Sequence, residues 1–295
     1  MKKSRKLATL GICSALFLGL VACQQQHATS EGTNQRQSSS AKVPWKASYT
    51  NLNNQVSTEE VKSLLSAHLD PNSVDAFFNL VNDYNTIVGS TGLSGDFTSF
   101  THTEYDVEKI SHLWNQKKGD FVGTNCRINS YCLLKNSVTI PKLEKNDQLL
   151  FLDNDAIDKG KVFDSQDKEE FDILFSRVPT EATTDVKVHA EKMETFFSQF
   201  QFNEKARMLS VVLHDNLDGE YLFVGHVGVL VPADDGFLFV EKLTFEEPYQ
   251  AIKFASKEDC YKYLGTKYLG TKYADYTGEG LAKPFIMDND KWVKL

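Results

Sequence analysis

The sequence predicts an α+β fold in which N-terminal helices are followed by an antiparallel β-meander. Three observations carry this. Apolar residues recur at helical spacing over the first half of the chain. Apolar runs separated by Asp-Gly turns occupy Met208 to Leu243. Composition is globular from Trp45 onward, over a length of about 250 residues that suits a single domain. The helical part is expected over about 45–140 and the β-rich part over about 141–295.

Residues 1–22 read as a lipoprotein signal peptide. Lys2, Lys3, Arg5 and Lys6 form a positive start, and Leu7 to Leu20 an apolar core too short for a permanent span. Leu20-Val21-Ala22-Cys23 matches the bacterial lipobox, so Cys23 is expected to carry a diacylglycerol. Residues 23–44 are almost wholly polar and read as a disordered tether. The protein is therefore expected at the cell membrane, lipid-anchored and facing outside the cytoplasm. Loss of the four signal-peptide cations takes the formal charge from −8 to −12, which argues against nucleic acid as a partner.

Ser57-Thr58-Glu59-Glu60 reads as a capping box that opens a helix with Val61, Leu64, Leu65 and Leu69 on one face. Pro71 starts a second, with Val74, Phe77, Phe78, Val81 and Tyr84 in register. A third begins near Asp106 and stops at Gly119. A fourth follows the loop Gly123-Thr124-Asn125. Leu149 to Leu152 reads as a short apolar strand, and Asp153 to Asp158 as a solvated turn. The latter fails as a calcium loop at its fifth and sixth positions. Asp185 to Phe197 is a further amphipathic helix, with His189 on its surface. Strands are expected over Met208–Leu213, Tyr221–Val231 and Phe237–Leu243. Ser256 caps a helix through Cys260 and Tyr263, and Lys262 to Tyr273 repeats a five-residue unit, as a slipped local duplication would. Two late strands are expected, over Pro284–Met287 and Trp292–Leu295.

Three cysteines remain after the signal peptide and the lipidated Cys23, so at least one stays unpaired. Cys126 and Cys132 lie about 9 Å apart along a helix, beyond disulfide reach, and any pairing would involve Cys260. Cys126 opens its helix, where exposed N–H groups and the helix dipole favour the thiolate. Such a thiol needs a base, and His226 on the second strand is the candidate. Glu241 on the neighbouring strand is the candidate to orient the imidazole, with His226 opposite Glu241 or Lys242. Asn125 is the candidate side-chain donor of an oxyanion hole. His214 with Asp215 is a less favourable pair in a turn, and Asp234 and Asp235 are solvated hairpin residues. Neither a glycine-rich phosphate loop nor His/Cys ligand spacing occurs, so no cofactor and no metal are expected.

Lipobox, tether, Gly123-Thr124-Asn125-Cys126-Arg127 and Gly225-His226-Val227-Gly228 together resemble a family of bacterial lipoproteins with an uncharacterised domain. Its members come mostly from Gram-positive cocci, streptococci among them. More distantly, the cysteine helix and the His-Val-Gly strand are similar to the NlpC/P60 and papain-like thiol hydrolases. That likeness implies a papain-like core and a thiol amidase or peptidase acting on cell-envelope peptide. The alternative expectation is a non-catalytic envelope lipoprotein that binds a ligand or partner in the same cleft.

Overall fold

The computed structural model describes residues 46–100, 103–269 and 280–295. The lipobox, Cys23, the tether and Gly270 to Tyr273 of the repeated tract lie outside the described residues. In order come β1 (Ala47–Thr50), α1 (Gln55–Ser66), α2 (Pro71–Val88), β2 (Thr98–Ser99) and α3 (Val107–Lys118). Then follow α4 (Cys126–Leu134), β3 (Val138–Thr139), α5 (Phe151–Gly160), α6 (Ser165–Leu174), β4 (Val178–Pro179) and α7 (Val186–Phe197). The last part holds β5 (Gln201–Phe202), β6 (Arg207–Asp215), β7 (Tyr221–Ala233), β8 (Gly236–Lys242) and β9 (Tyr249–Phe254). It closes with α8 (Lys257–Tyr268), β10 (Phe285–Asp288) and β11 (Lys291–Val293).

The architecture is α+β. An antiparallel sheet runs in the order β11-β10-β6-β7-β8-β9-β1-β2, with β4 beside β7. The predicted meander is its centre, β6-β7-β8, extended by β9. Strand alternation divides the sheet's residues between two cores. Val229, Val231, Leu238 and Val240 join the core built with α1 to α7. Leu230, Phe239, Ile252 and Phe254 join a second core with Cys260, Tyr263 and Leu264 of α8.

The expected helical and β-rich halves are not separated near residue 140. Helices continue to Phe197, and β1 crosses from the N-terminal side to pair with β9. Leu149 to Leu152 is not a strand: Gln148–Leu150 forms a 3-10 turn and Phe151 begins α5, which absorbs the expected Asp153–Asp158 turn. A four-residue apolar run has no resolvable period, so strand and helix are not distinguished by it. α1 starts earlier than the capping box suggested, because Asn54 caps it by accepting from Ser57 N. Pro71, Asp106, Asn125, Asp185 and Ser256 begin or cap their helices as their chemistry predicts. The expectation for His189 on α7 changes, and the pairing of the cysteines, left open by the sequence, is settled. His189 is buried, with Nδ1 on Thr180 and Nε2 on the Thr183 carbonyl. Cys126, Cys132 and Cys260 are all free and buried, so no pairing with Cys260 forms.

Candidate active site

The cysteine end of α4 is set by a turn and a cap. Gly123 has φ +91°, and a side chain there would press on the Trp114 ring and the Phe245 carbonyl. Asn125 is extended, and its Oδ1 accepts from Ile128 N at 3.1 Å. Its Nδ2 donates to Asp153 Oδ1 at 2.7 Å. The amide expected to face an oxyanion is thus engaged as a helix cap tied to α5. Arg127 grips the same carboxylate, Nε to Oδ1 at 2.9 Å and Nη2 to Oδ2 at 2.7 Å, and its Nη1 donates to Val224 O at 3.0 Å. Asp153, within an expected solvated turn, is wholly buried.

That last bond lands beside an irregularity in β7. Val211 pairs with His226 and Val212 with Val224, so Gly225 is an extra, unpaired residue. Such a bulge re-aims the side chain next to it. His226 therefore shares the α8 face with Val211. β7 pairs with β8 only from Val229 to Ala233, opposite Gly236 to Val240. Past Val229 the two ladders part, and α4 approaches there, with Ser130 Oγ donating to Val227 O at 3.2 Å. The register differs from the one expected. Val229 opposite Val240 puts Gly228 level with Glu241, and His226 two positions further on. His226 and Glu241 meet as diagonal neighbours.

The contact between them is close, His226 Nε2 to Glu241 Oε2 at 2.6 Å. Cys126 lies on the other side of this pair, near enough to the imidazole for each group to shift the other's titration. Glu241 is further held by α8: Tyr263 Oη donates to Oε1, Lys267 Nζ lies 3.2 Å from Oε1, and Tyr268 Oη donates to Oε2 at 3.4 Å. The Tyr268 ring also stacks on His226, centroids 4.3 Å apart and planes 19° from parallel. So Cys126, His226 and Glu241 come together, His226 and Glu241 by a direct hydrogen bond, whereas the Asn125 side chain is turned to Ile128 N and Asp153.

Electrostatics follow from this arrangement. Burial pushes the Cys126 thiol up, but the charge and hydrogen bond of His226 outweigh it and leave the thiol below its ordinary range. Burial pushes His226 down, but Cys126 and Glu241 hold it above its ordinary value. Burial would raise Glu241; the Lys267 charge and the His226 and Tyr263 bonds bring it down to about 2. Cys132, on the same helix, is pushed up to about 12 by burial. Cys260 is pushed well above its ordinary value by the same cause.

The site is enclosed. Cys126 is 5% exposed, His226 4% and Glu241 1%. A cavity of about 430 Å³ lies elsewhere, between α1 and the β7–β8 turn, lined by Glu60, Leu64, Asp234, Asp235, Phe237 and Lys253. The loop after β8 borders the cysteine end. It is pinned by Tyr84 Oη on Glu246 O and by Lys242, whose Nζ donates to Thr244 O, Phe245 O and Glu247 O. Burial pushes Lys242 down to about 7. His214, the less favoured candidate, bonds Glu220 rather than Asp215, at 2.7 Å. Sequence reasoning did not select Tyr263, Lys267 or Tyr268. The signal available was their i, i+4 and i, i+5 spacing on a helix capped by Ser256.

Neither a curated protein nor a solved structure matches the chain. A family model, that of the domain of unknown function DUF4300, matches residues 48–293. That span contains β1 to β11 almost entire and every residue of the cluster just described, and by it the chain belongs to the DUF4300 family.

Proposed function

We propose that the protein is a thiol amidase or peptidase, anchored by a lipid on Cys23 and acting on peptide or amide bonds of the cell envelope. The observation that carries this is the buried His226–Glu241 pair, 2.6 Å apart, beside a Cys126 at the start of α4 that is near enough to the imidazole for each to shift the other. The Cys126 sulfur, as thiolate, attacks the carbonyl carbon, and the oxygen takes the charge. N–H groups of the first turn of α4, which precede the intrahelical ladder, are its donors. As the C–N bond breaks, His226 gives its proton to the leaving amine. Water then adds to the thioester carbonyl, giving a proton to the now neutral His226; the C–S bond breaks, the acid leaves, and the thiolate and the protonated imidazole are restored. Glu241 holds the imidazole in orientation and charge; Asn125 and Asp153 hold the helix start.

The test is release of new amines from cell-envelope peptides by the purified chain. The expected result is turnover that C126A and H226N each lower by at least about 100-fold with the melting transition retained. A second reading, a non-catalytic binding protein, draws support from the 5% exposure of Cys126. On that reading C126A binds envelope peptide as wild type does, and wild type releases nothing.

A further inference from the structure

Glu241 is the most enclosed charge of the cluster, and groups from three elements face it. His226 comes from β7; Tyr263, Lys267 and Tyr268 come from α8; Gln250 of β9 reaches it through Tyr263 Oη, 3.4 Å away. Tyr105 and Cys260 lie close enough to feel its charge. Burial pushes Lys267 below its ordinary value against the charges of Glu241, Glu247 and Cys126; it bonds Tyr263 Oη at 2.7 Å and keeps 31% of its side chain exposed.

From α8 to α4 the groups run Lys267, Glu241, His226 and Cys126, so that with the thiolate formed ammonium, carboxylate, imidazolium and thiolate alternate in sign. Together they are neutral. Without the ammonium, forming the thiolate leaves one uncompensated negative charge among buried groups. Such a charge is expensive, and the simplest relief is return of a proton to sulfur. We propose that Lys267 is a positioning residue for Cys126, its ammonium acting through Glu241 and His226 to hold the sulfur as thiolate. This rests on the reading of Cys126 as the nucleophile. It also gives the first copy of the repeated Tyr-Leu-Gly-Thr-Lys unit a task, since Tyr263 and Lys267 are its two ends.

The experiment is the pH dependence of Cys126 alkylation by iodoacetamide, read peptide by peptide in the full chain. K267M is expected to raise the midpoint by about one pH unit or more, and K267R to keep it near the wild-type value. In an E241Q background K267M should add no further shift, because the link is gone. A K267M chain with a lowered melting temperature and an unmoved midpoint overturns the proposal and leaves the nucleophile reading standing. Should K267M not fold, K267Q carries the test. If neither folds, Lys267 belongs to the fold and the proposal fails. A wild-type midpoint at the ordinary thiol value, unmoved by H226N, removes the nucleophile reading itself and the proposal with it.

Discussion

The first and seventh residues of α4 carry the same functional group, shifted in opposite directions. Cys126 and Cys132 are both buried, at 5% and 2% exposure. Cys132 meets apolar neighbours and the Ser73 carbonyl, and burial pushes it up to about 12. Cys126 meets an imidazole, the first-turn N–H groups and Arg127, and lies below the ordinary thiol range. Burial alone therefore does not decide the reactivity of a cysteine in this fold. Position on the helix and one charged neighbour decide it.

The comparison is most directly broken by chemistry on the two sulfurs. At pH 7 a thiol of pKa about 12 is thiolate in about one part in 100,000, and one below 9 in more than about one part in 100. Iodoacetamide is thus expected to label Cys126 at least about 1,000-fold faster than Cys132. Comparable rates at the two positions would refute the contrast. The next largest effect lies in what holds the Cys126 end. D153A strands the Arg127 guanidinium, 15% exposed, opposite an empty site. A loss of about 3 kcal/mol is expected in denaturant unfolding, with hydrogen exchange rising at Arg127 to Asn129 and not at Leu133 or Leu134. The smallest effect concerns the far side of the imidazole. His226 is held above, and Cys126 below, its ordinary value, so labelling should rise with pH through the lowered thiol midpoint. E241Q removes one cause of the raised imidazole, lowers the His226 pKa, and so raises the Cys126 midpoint. Labelling at pH 7 should fall about tenfold. A midpoint that falls instead would show that Glu241 opposes the thiolate.

What could be read from the sequence was local. Pro71, Asp185 and Ser256 start their helices, because a cap or an N1 proline needs only the residues beside it; Asn125 was read as an oxyanion donor and is the cap of α4. The strands flanking the Asp-Gly turns pair in the expected order, since turn chemistry and alternation specify a hairpin within a few residues. The bulge at Gly225 was not legible. It sets which face His226 takes, and it depends on Arg127 bonding Val224 from another element. Nor was the surrounding shell of Glu241 legible. Tyr263 and Lys267 are about 25 residues from it in sequence, and a repeated tract suggests redundancy more readily than an ion pair. His189 was misjudged for a related reason. Its partners Thr180 and Thr183 lie before its own helix, where no period counts them.

The pentapeptide duplication at the end of α8 has a genetic consequence. Replication slippage that deletes one copy removes five residues yet leaves Tyr263 to Tyr268 spelled as before, because the second copy supplies the same letters. Gain of a copy does likewise. Such a change would alter the spacing between α8 and β10 in steps of five while Tyr263, Lys267 and Tyr268 keep their identities.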